Sequence, residues 1–117
     1  MSDKVTPIRI IDNENDTTYE LDFSREAVKF AESKHFRLED VADYPTTKLP
    51  ELWYYAFRKN HRNIARSQTD AILEKVGGVT DKMVERLIQL YNQAVMSNNI
   101  IQDEEELAKN AKVTVEF

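Results

Sequence analysis

The sequence predicts an α+β domain in which a small sheet packs on a bundle of about four helices. Alternating apolar and polar residues near both ends of the chain indicate strands, and apolar residues at three- and four-residue spacing between them indicate helices. At 117 residues the chain has the usual size of one domain. We therefore expect a single domain over 1–117, with 1–4 and 98–110 as its candidate flexible segments. The sheet is expected to have three antiparallel or mixed strands, from an N-terminal hairpin and a C-terminal strand.

The hairpin is predicted from two strands, residues 5–11 and 17–23, around a polar turn at 12–16. Pro7 cannot donate to a sheet ladder, so it favours an edge position or a late start for the first strand. The second strand alternates clearly, which predicts one buried and one wet face. Its core-facing residues would be Tyr19, Leu21 and Phe23, and its solvent-facing residues Thr18, Glu20 and Asp22.

Ser24 is predicted to cap a first helix over residues 25–34, with Phe23 and Val28 placed as a hydrophobic staple. A polar connection follows and ends at Tyr44 before a proline, where helical geometry is disfavoured. Thr46 or Thr47 would then cap a central helix.

The central helix carries the densest apolar stripe of the chain, with Pro50 tolerated in its first turn. The stripe consists of Leu49, Leu52, Trp53, Ala56 and Phe57. Because this face is already full, at least one of Tyr54 and Tyr55 must point sideways or outward. An interface role and packing at the core edge are both open for these tyrosines.

Two interpretations fit the chain after Arg62. A helix could restart at Ser67, or the central helix could continue unbroken to Val76, since no glycine or proline intervenes. Gly77 and Gly78 end whichever helix precedes them. Thr80 would cap a last long helix that stops near 97–99. Its buried stripe is expected to be Val84, Leu87, Ile88, Tyr91 and Val95.

The end of the chain predicts two short elements. The acidic run at 103–106 suits the first turn of a short helix. After it, Val113, Val115 and Phe117 alternate with polar residues, which indicates a strand. Its simplest place is beside the N-terminal hairpin, because a hairpin alone is marginally stable.

No pattern for catalysis, a metal or a cofactor is evident. The chain has no cysteine, its two histidines lie in different segments, and its two glycines cannot form a phosphate loop. Its serines and threonines lie mostly at predicted helix caps. The longest apolar run is far too short to span a membrane, and a net charge of −5 argues against general nucleic-acid binding. A non-enzymatic protein is therefore expected.

A basic cluster follows the aromatic part of the central helix. If that helix continued, Arg58, Arg62 and Arg66 would stack at four-residue spacing on one face. Such a stripe could contact acidic protein segments or phosphates, or could serve structure alone. The candidate partner-binding residues are Tyr54, Tyr55, Arg58, Lys59, Arg62 and Arg66.

Three stretches carry a family resemblance: LWYYAFRKNHR, the following DAILEKV, and LIQLYNQAV. With the closing acidic tail, the chain from about Tyr19 onward resembles the tail assembly chaperone-like proteins of long-tailed bacteriophages and prophages of Gram-positive bacteria. The resemblance implies a non-enzymatic protein of the host bacterial cytoplasm. The expected partners of the chain are the phage tape-measure protein and the tail tube protein. Whether the chain also forms a homo-oligomer is left open.

Two other classes of function stay open. One is a phage structural or connector-type protein that assembles into rings or tubes by itself. The other is a small nucleic-acid-binding regulator that uses the arginine stripe.

Overall fold

The structure, a computed structural model, describes residues 5–99 and has the α+β class that the sequence predicts. Over this range the chain forms one two-stranded antiparallel sheet and five helices. In chain order the elements are β1 (Ile8–Asp12), β2 (Thr17–Leu21), α1 (Arg25–Ser33), α2 (Asp40–Asp43), α3 (Pro45–Phe57), α4 (Arg66–Val76) and α5 (Asp81–Asn99). The core lies where the inner face of the hairpin meets α1, α3 and α5.

The hairpin forms as predicted, and β1 begins directly after Pro7, the late start that proline favours. Pairing of Ile8 with Leu21 and of Ile10 with Tyr19 places all four side chains on the core face. The opposite face is wet, and its most exposed apolar residue is Ile11 at 59%.

Asp22 departs from the prediction that it faces solvent, since it is only 7% exposed. It lies one residue beyond β2, where its backbone N–H donates to the carbonyl of Ala56 at 3.0 Å. Its Oδ2 accepts a hydrogen bond from the Lys59 ammonium at 2.7 Å. Its Oδ1 accepts a hydrogen bond from the backbone N–H of Phe23 at 2.8 Å. Burial of this carboxylate is tolerated because the Lys59 ammonium and the Phe23 N–H satisfy it.

The first helix begins at the predicted cap. The Ser24 hydroxyl accepts a hydrogen bond from the N–H of Ala27 at 3.2 Å, and Phe23 and Val28 are both buried on either side of it. The helix ends at Ser33, close to the predicted end.

The central helix, α3, provides the middle of the core. Its stripe is buried as predicted, with Leu49 partly buried at one end. Trp53 has no exposed surface, and its indole N–H donates to the carbonyl of Thr69 in α4 at 2.9 Å. One side chain therefore both fills the core and ties α3 to α4.

The start of α3 was predicted wrongly. The helix begins at Pro45, so Thr46 and Thr47 lie inside its first turn, and Tyr44 occupies the cap position without a side-chain cap. Proline favours the first helical position because it has no N–H to satisfy and its φ is already helical. Pro50 accordingly lies deeper in the helix than predicted.

The structure decides between the two interpretations of the chain after Arg62. The helix is not continuous: α3 ends at Phe57, and α4 begins at Arg66. The start of α4 is stabilised by the side chain of Gln68, which accepts a hydrogen bond from the N–H of Ala65 at 2.9 Å.

Both ends of the α4–α5 connection follow the prediction. Gly77 ends α4 in the left-handed conformation, with φ of +90°, and the Thr80 hydroxyl accepts a hydrogen bond from the N–H of Met83 at 3.2 Å. The stripe of α5 is rotated from the predicted one. Its buried residues are Leu87, Leu90, Tyr91 and Ala94, whereas Val84, Ile88 and Val95 are only partly buried.

Two predicted elements, the short helix at 103–106 and the strand at 113–117, lie outside the described residues. The observed sheet is therefore the hairpin alone over residues 5–99.

Candidate partner-binding surface

The turn between α3 and α4 carries three of the six predicted site residues, Arg58, Lys59 and Arg62. Side chains of this turn contact β2. The imidazole Nε2 of His61 accepts a hydrogen bond from the N–H of Glu20 at 3.1 Å, and the side-chain amide of Asn60 donates to the Glu20 carbonyl at 3.3 Å. The His61 ring also lies edge-on to Tyr19, with 5.2 Å between ring centroids. These contacts tie the turn to β2 directly after the end of α3 at Phe57.

Because the helix ends at Phe57, the predicted stripe of Arg58, Arg62 and Arg66 does not form on one helix face. Arg58 instead lies over the ring of Phe30 in α1, with 3.6 Å from its guanidinium carbon to the ring centroid. Its Nη1 donates to the Arg62 carbonyl at 3.3 Å. Arg66 pairs with Asp70 one turn further along α4 at 2.9 Å.

A groove of about 490 Å³ lies between α1 and this turn. It is lined by Ser24, Glu26, Ala27, Lys29, Phe30, Arg58, Lys59 and Arg62. Four of these residues are basic and one is acidic. The structure thus brings three of the predicted residues, Arg58, Lys59 and Arg62, to one concave surface.

The four bases of the groove are not equivalent. Lys59 forms a salt bridge with Asp22, and the guanidinium of Arg58 lies over the Phe30 ring. Over residues 5–99, Lys29 and Arg62 have no acidic partner within salt-bridge distance, and both are exposed. The groove therefore offers two cations without a salt bridge over residues 5–99, next to the Glu26 carboxylate and an aromatic ring that a third cation already covers.

The two tyrosines separate into core and surface. Tyr55 is 5% exposed, and its ring lies edge-on to Phe30 and Phe36 at centroid distances of 5.9 and 5.2 Å. Burial raises the pKa of the Tyr55 hydroxyl above its ordinary value. Tyr54 is half-buried, with the Arg66 guanidinium 6.0 Å from its ring centroid. Of the pair, only Tyr54 is available to a partner.

Sequence reasoning missed the contribution of α1, namely Phe30 and Lys29. Phe30 falls beside, not on, the buried positions of α1, which are Ala27, Val28 and Ala31. An aromatic residue next to a complete core stripe is a signal that could have indicated a surface role. Its meeting with Arg58, however, depends on where α3 ends.

Over residues 5–99, no group of three or more His, Cys, Asp or Glu side chains converges to hold a metal ion. Within the same range, none of the five helices has the length and apolar character needed to cross a bilayer. The groove combines the exposed cations of Lys29 and Arg62 with the partly buried Phe30 ring.

The sequence model of a family described as a domain of unknown function (DUF5055) matches residues 1–117. Neither the curated proteins nor the solved structures contain a significant match to the chain.

Proposed function

The chain belongs to the DUF5055 family, and we propose that it is a non-enzymatic assembly chaperone of long-tailed bacteriophages. In this proposal it binds the tape-measure protein and the tail tube protein in the cytoplasm of the host bacterium, before the tail polymerises. Support comes first from the resemblance of its central and last long helices to tail assembly chaperone-like proteins.

The observation that carries the proposal is the groove between α1 and the α3–α4 turn. A chaperone for a long helical client needs exposed cations beside apolar surface, so that it can hold acidic amphipathic segments. Lys29 and Arg62 supply charge without an acidic partner within salt-bridge distance over residues 5–99, while the Arg58 guanidinium lies over the Phe30 ring. No chemical step is required of any residue in this role.

The proposed binding residues are a subset of the predicted ones with α1 added. Arg62 and Lys29 would attract the client, and Arg58 would contact it from the Phe30 ring. Tyr54 and Arg66 extend the same surface along α3 and α4. Tyr55 belongs to the core, and Lys59 supports the turn through Asp22.

The decisive experiment mixes the purified chain with purified phage tape-measure and tail tube proteins. Complex formation is followed by size exclusion with light scattering and by calorimetry. Arg62→Glu should weaken the tape-measure complex at least about tenfold, which is about 1.4 kcal/mol. Lys82→Glu is the matched control, since Lys82 is an exposed base of α5 outside the groove, and it should bind like the parent.

Failure to bind either protein would refute the assembly-chaperone function. Binding that Arg62→Glu and Lys82→Glu leave equally strong would keep the function and reject the groove as its site. The same purified chain tests the two alternatives. Rings or tubes formed by the chain alone would indicate a connector-type protein, and salt-dependent binding of duplex DNA would indicate a regulator.

We also infer the finer fold that the sequence predicts for the whole chain. It is a single domain over 1–117 with a three-stranded sheet on a bundle of about four helices, α2 being a single turn.

A further inference from the structure

The two edges of the hairpin are in different situations. The outer edge of β2 is covered by the end of α3 and the turn after it. There the N–H of Asp22 donates to the Ala56 carbonyl at 3.0 Å. The N–H and carbonyl of Glu20 are satisfied by His61 and Asn60 at 3.1 and 3.3 Å.

The contacts of Glu20 determine which backbone groups of β1 are free. In an antiparallel pair, residues alternate between those bonded to the partner strand and those that point away from it. Both backbone groups of Glu20 point away from β1. The N–H and carbonyl of Arg9, directly opposite, therefore also point away from β2. By the same alternation, the N–H and carbonyl of Ile11, two residues on, point away from β2 as well.

The outer edge of β1 thus presents the N–H and carbonyl groups of Arg9 and Ile11. Over residues 5–99 none of these four groups has a hydrogen-bond partner. Both residues are exposed. An open edge of this kind is a template for another strand, and a sheet of two strands is marginally stable by itself.

We propose that this edge of β1 is a strand-binding site and that its occupant is the chain's own C-terminal segment, residues 113–117. The segment alternates, with apolar residues at 113, 115 and 117 and polar residues at 112, 114 and 116. On the edge of β1 its apolar residues can extend the buried face of the hairpin, and its polar residues can extend the wet face.

The chain is long enough for this pairing. The Gln93 side chain in α5 accepts a hydrogen bond from the N–H of Val5 at 2.6 Å, so α5 passes the start of β1. From Gln93 to Asn99 the helix advances about 9 Å at 1.5 Å per residue, and from Val5 to Arg9 an extended chain advances about 13 Å.

The thirteen residues at 100–112 span up to about 43 Å when extended, and about 28 Å if eight of them are helical. Either length exceeds the roughly 22 Å of backbone to be covered. A tethered strand also competes at a millimolar effective concentration, which favours it over the strand of a second copy.

Amide hydrogen exchange on the full-length chain tests this assignment. The amides of Arg9 and Ile11 should exchange at least about 100-fold more slowly in the parent than in Val115→Pro, which removes a strand N–H and the strand geometry. Ala111→Pro, outside the segment, is the control and should exchange like the parent. The amides of Ile8 and Ile10, which pair with β2, report any general loss of stability.

Three outcomes separate the possibilities. Selective protection of Arg9 and Ile11 at every protein concentration, lost in Val115→Pro and restored by a peptide of residues 112–117, supports the proposal. Equal, fast exchange of these two amides in the parent and in Val115→Pro overturns it. Protection that disappears on dilution, together with a dimer in light scattering, also overturns it, because the occupant is then a second copy.

Discussion

Replacement of Trp53 tests the core directly. The residue has no exposed surface, packs edge-on against Phe57 at 5.5 Å between ring centroids, and donates a hydrogen bond to Thr69. Trp53→Ala removes a whole buried indole and should cost about 3–5 kcal/mol of the free energy of unfolding. Trp53→Phe keeps a ring but loses the hydrogen bond, which should cost about 1 kcal/mol beyond the change in packing.

The assay is thermal and urea unfolding followed by circular dichroism. For a domain of this size, each kcal/mol lowers the melting temperature by roughly 4 °C, so Trp53→Ala should lower it by about 12–20 °C. Tyr44→Ala is the control, because it deletes a ring that is 62% exposed and should change stability by less than about 1 kcal/mol. A Trp53→Ala protein as stable as Tyr44→Ala would refute the packing of α3 on α4.

Three further predictions concern single side chains. In urea unfolding, Tyr55→Ser should lower the free energy of unfolding by about 3 kcal/mol, and Tyr54→Ser by less than about 1 kcal/mol. Equal losses of stability in the two variants would contradict the different burial of the two tyrosines. Ser24→Ala should cost about 1 kcal/mol, and an unchanged urea midpoint would remove Ser24 as a cap. Burial raises the pKa of Tyr91 to about 12, above its unfolded value of about 10. The folded state therefore favours the neutral phenol, and stability should fall between about pH 10 and pH 12, unlike in Tyr91→Phe.

Elements bounded by local signals could be predicted from the sequence. The hairpin follows from alternation in β2 and from Pro7, and the caps at Ser24 and Thr80 follow from side chains that satisfy free N–H groups within three residues. Gly77 ends α4 because its φ of +90° is strained for any other residue. Each of these interactions connects neighbours in sequence, so a window of a few residues contains the cause.

The end of α3 could not be predicted in this way. No glycine or proline lies between Phe57 and Val76, and helix propensity alone permits an unbroken helix. The break coincides with contacts to Glu20 and Asp22, about forty residues earlier in the chain. Tertiary contacts here override local preference. The same contacts explain why Asp22, expected in water, is buried.

The candidate site depends on this break in the helix. On a continuous helix, three arginines at four-residue spacing would repel one another and face solvent together. In the folded turn, Arg58 gains the Phe30 ring and Lys59 gains a buried carboxylate. Their charge is thereby stabilised within the protein, whereas Arg62 carries no such compensation over residues 5–99.

The difference between bases with and without a partner inside the protein determines which substitutions can separate binding from folding. Removal of Lys59 leaves Asp22 buried without its cation, a change that costs stability before any partner is added. Removal of Arg62 or Lys29 deletes only exposed charge, so the fold should persist while attraction for an acidic partner falls. Two bases of the groove, Arg58 and Lys59, therefore hold the turn in place. The other two, Lys29 and Arg62, remain for the partner. Only the second pair gives an interpretable test of function.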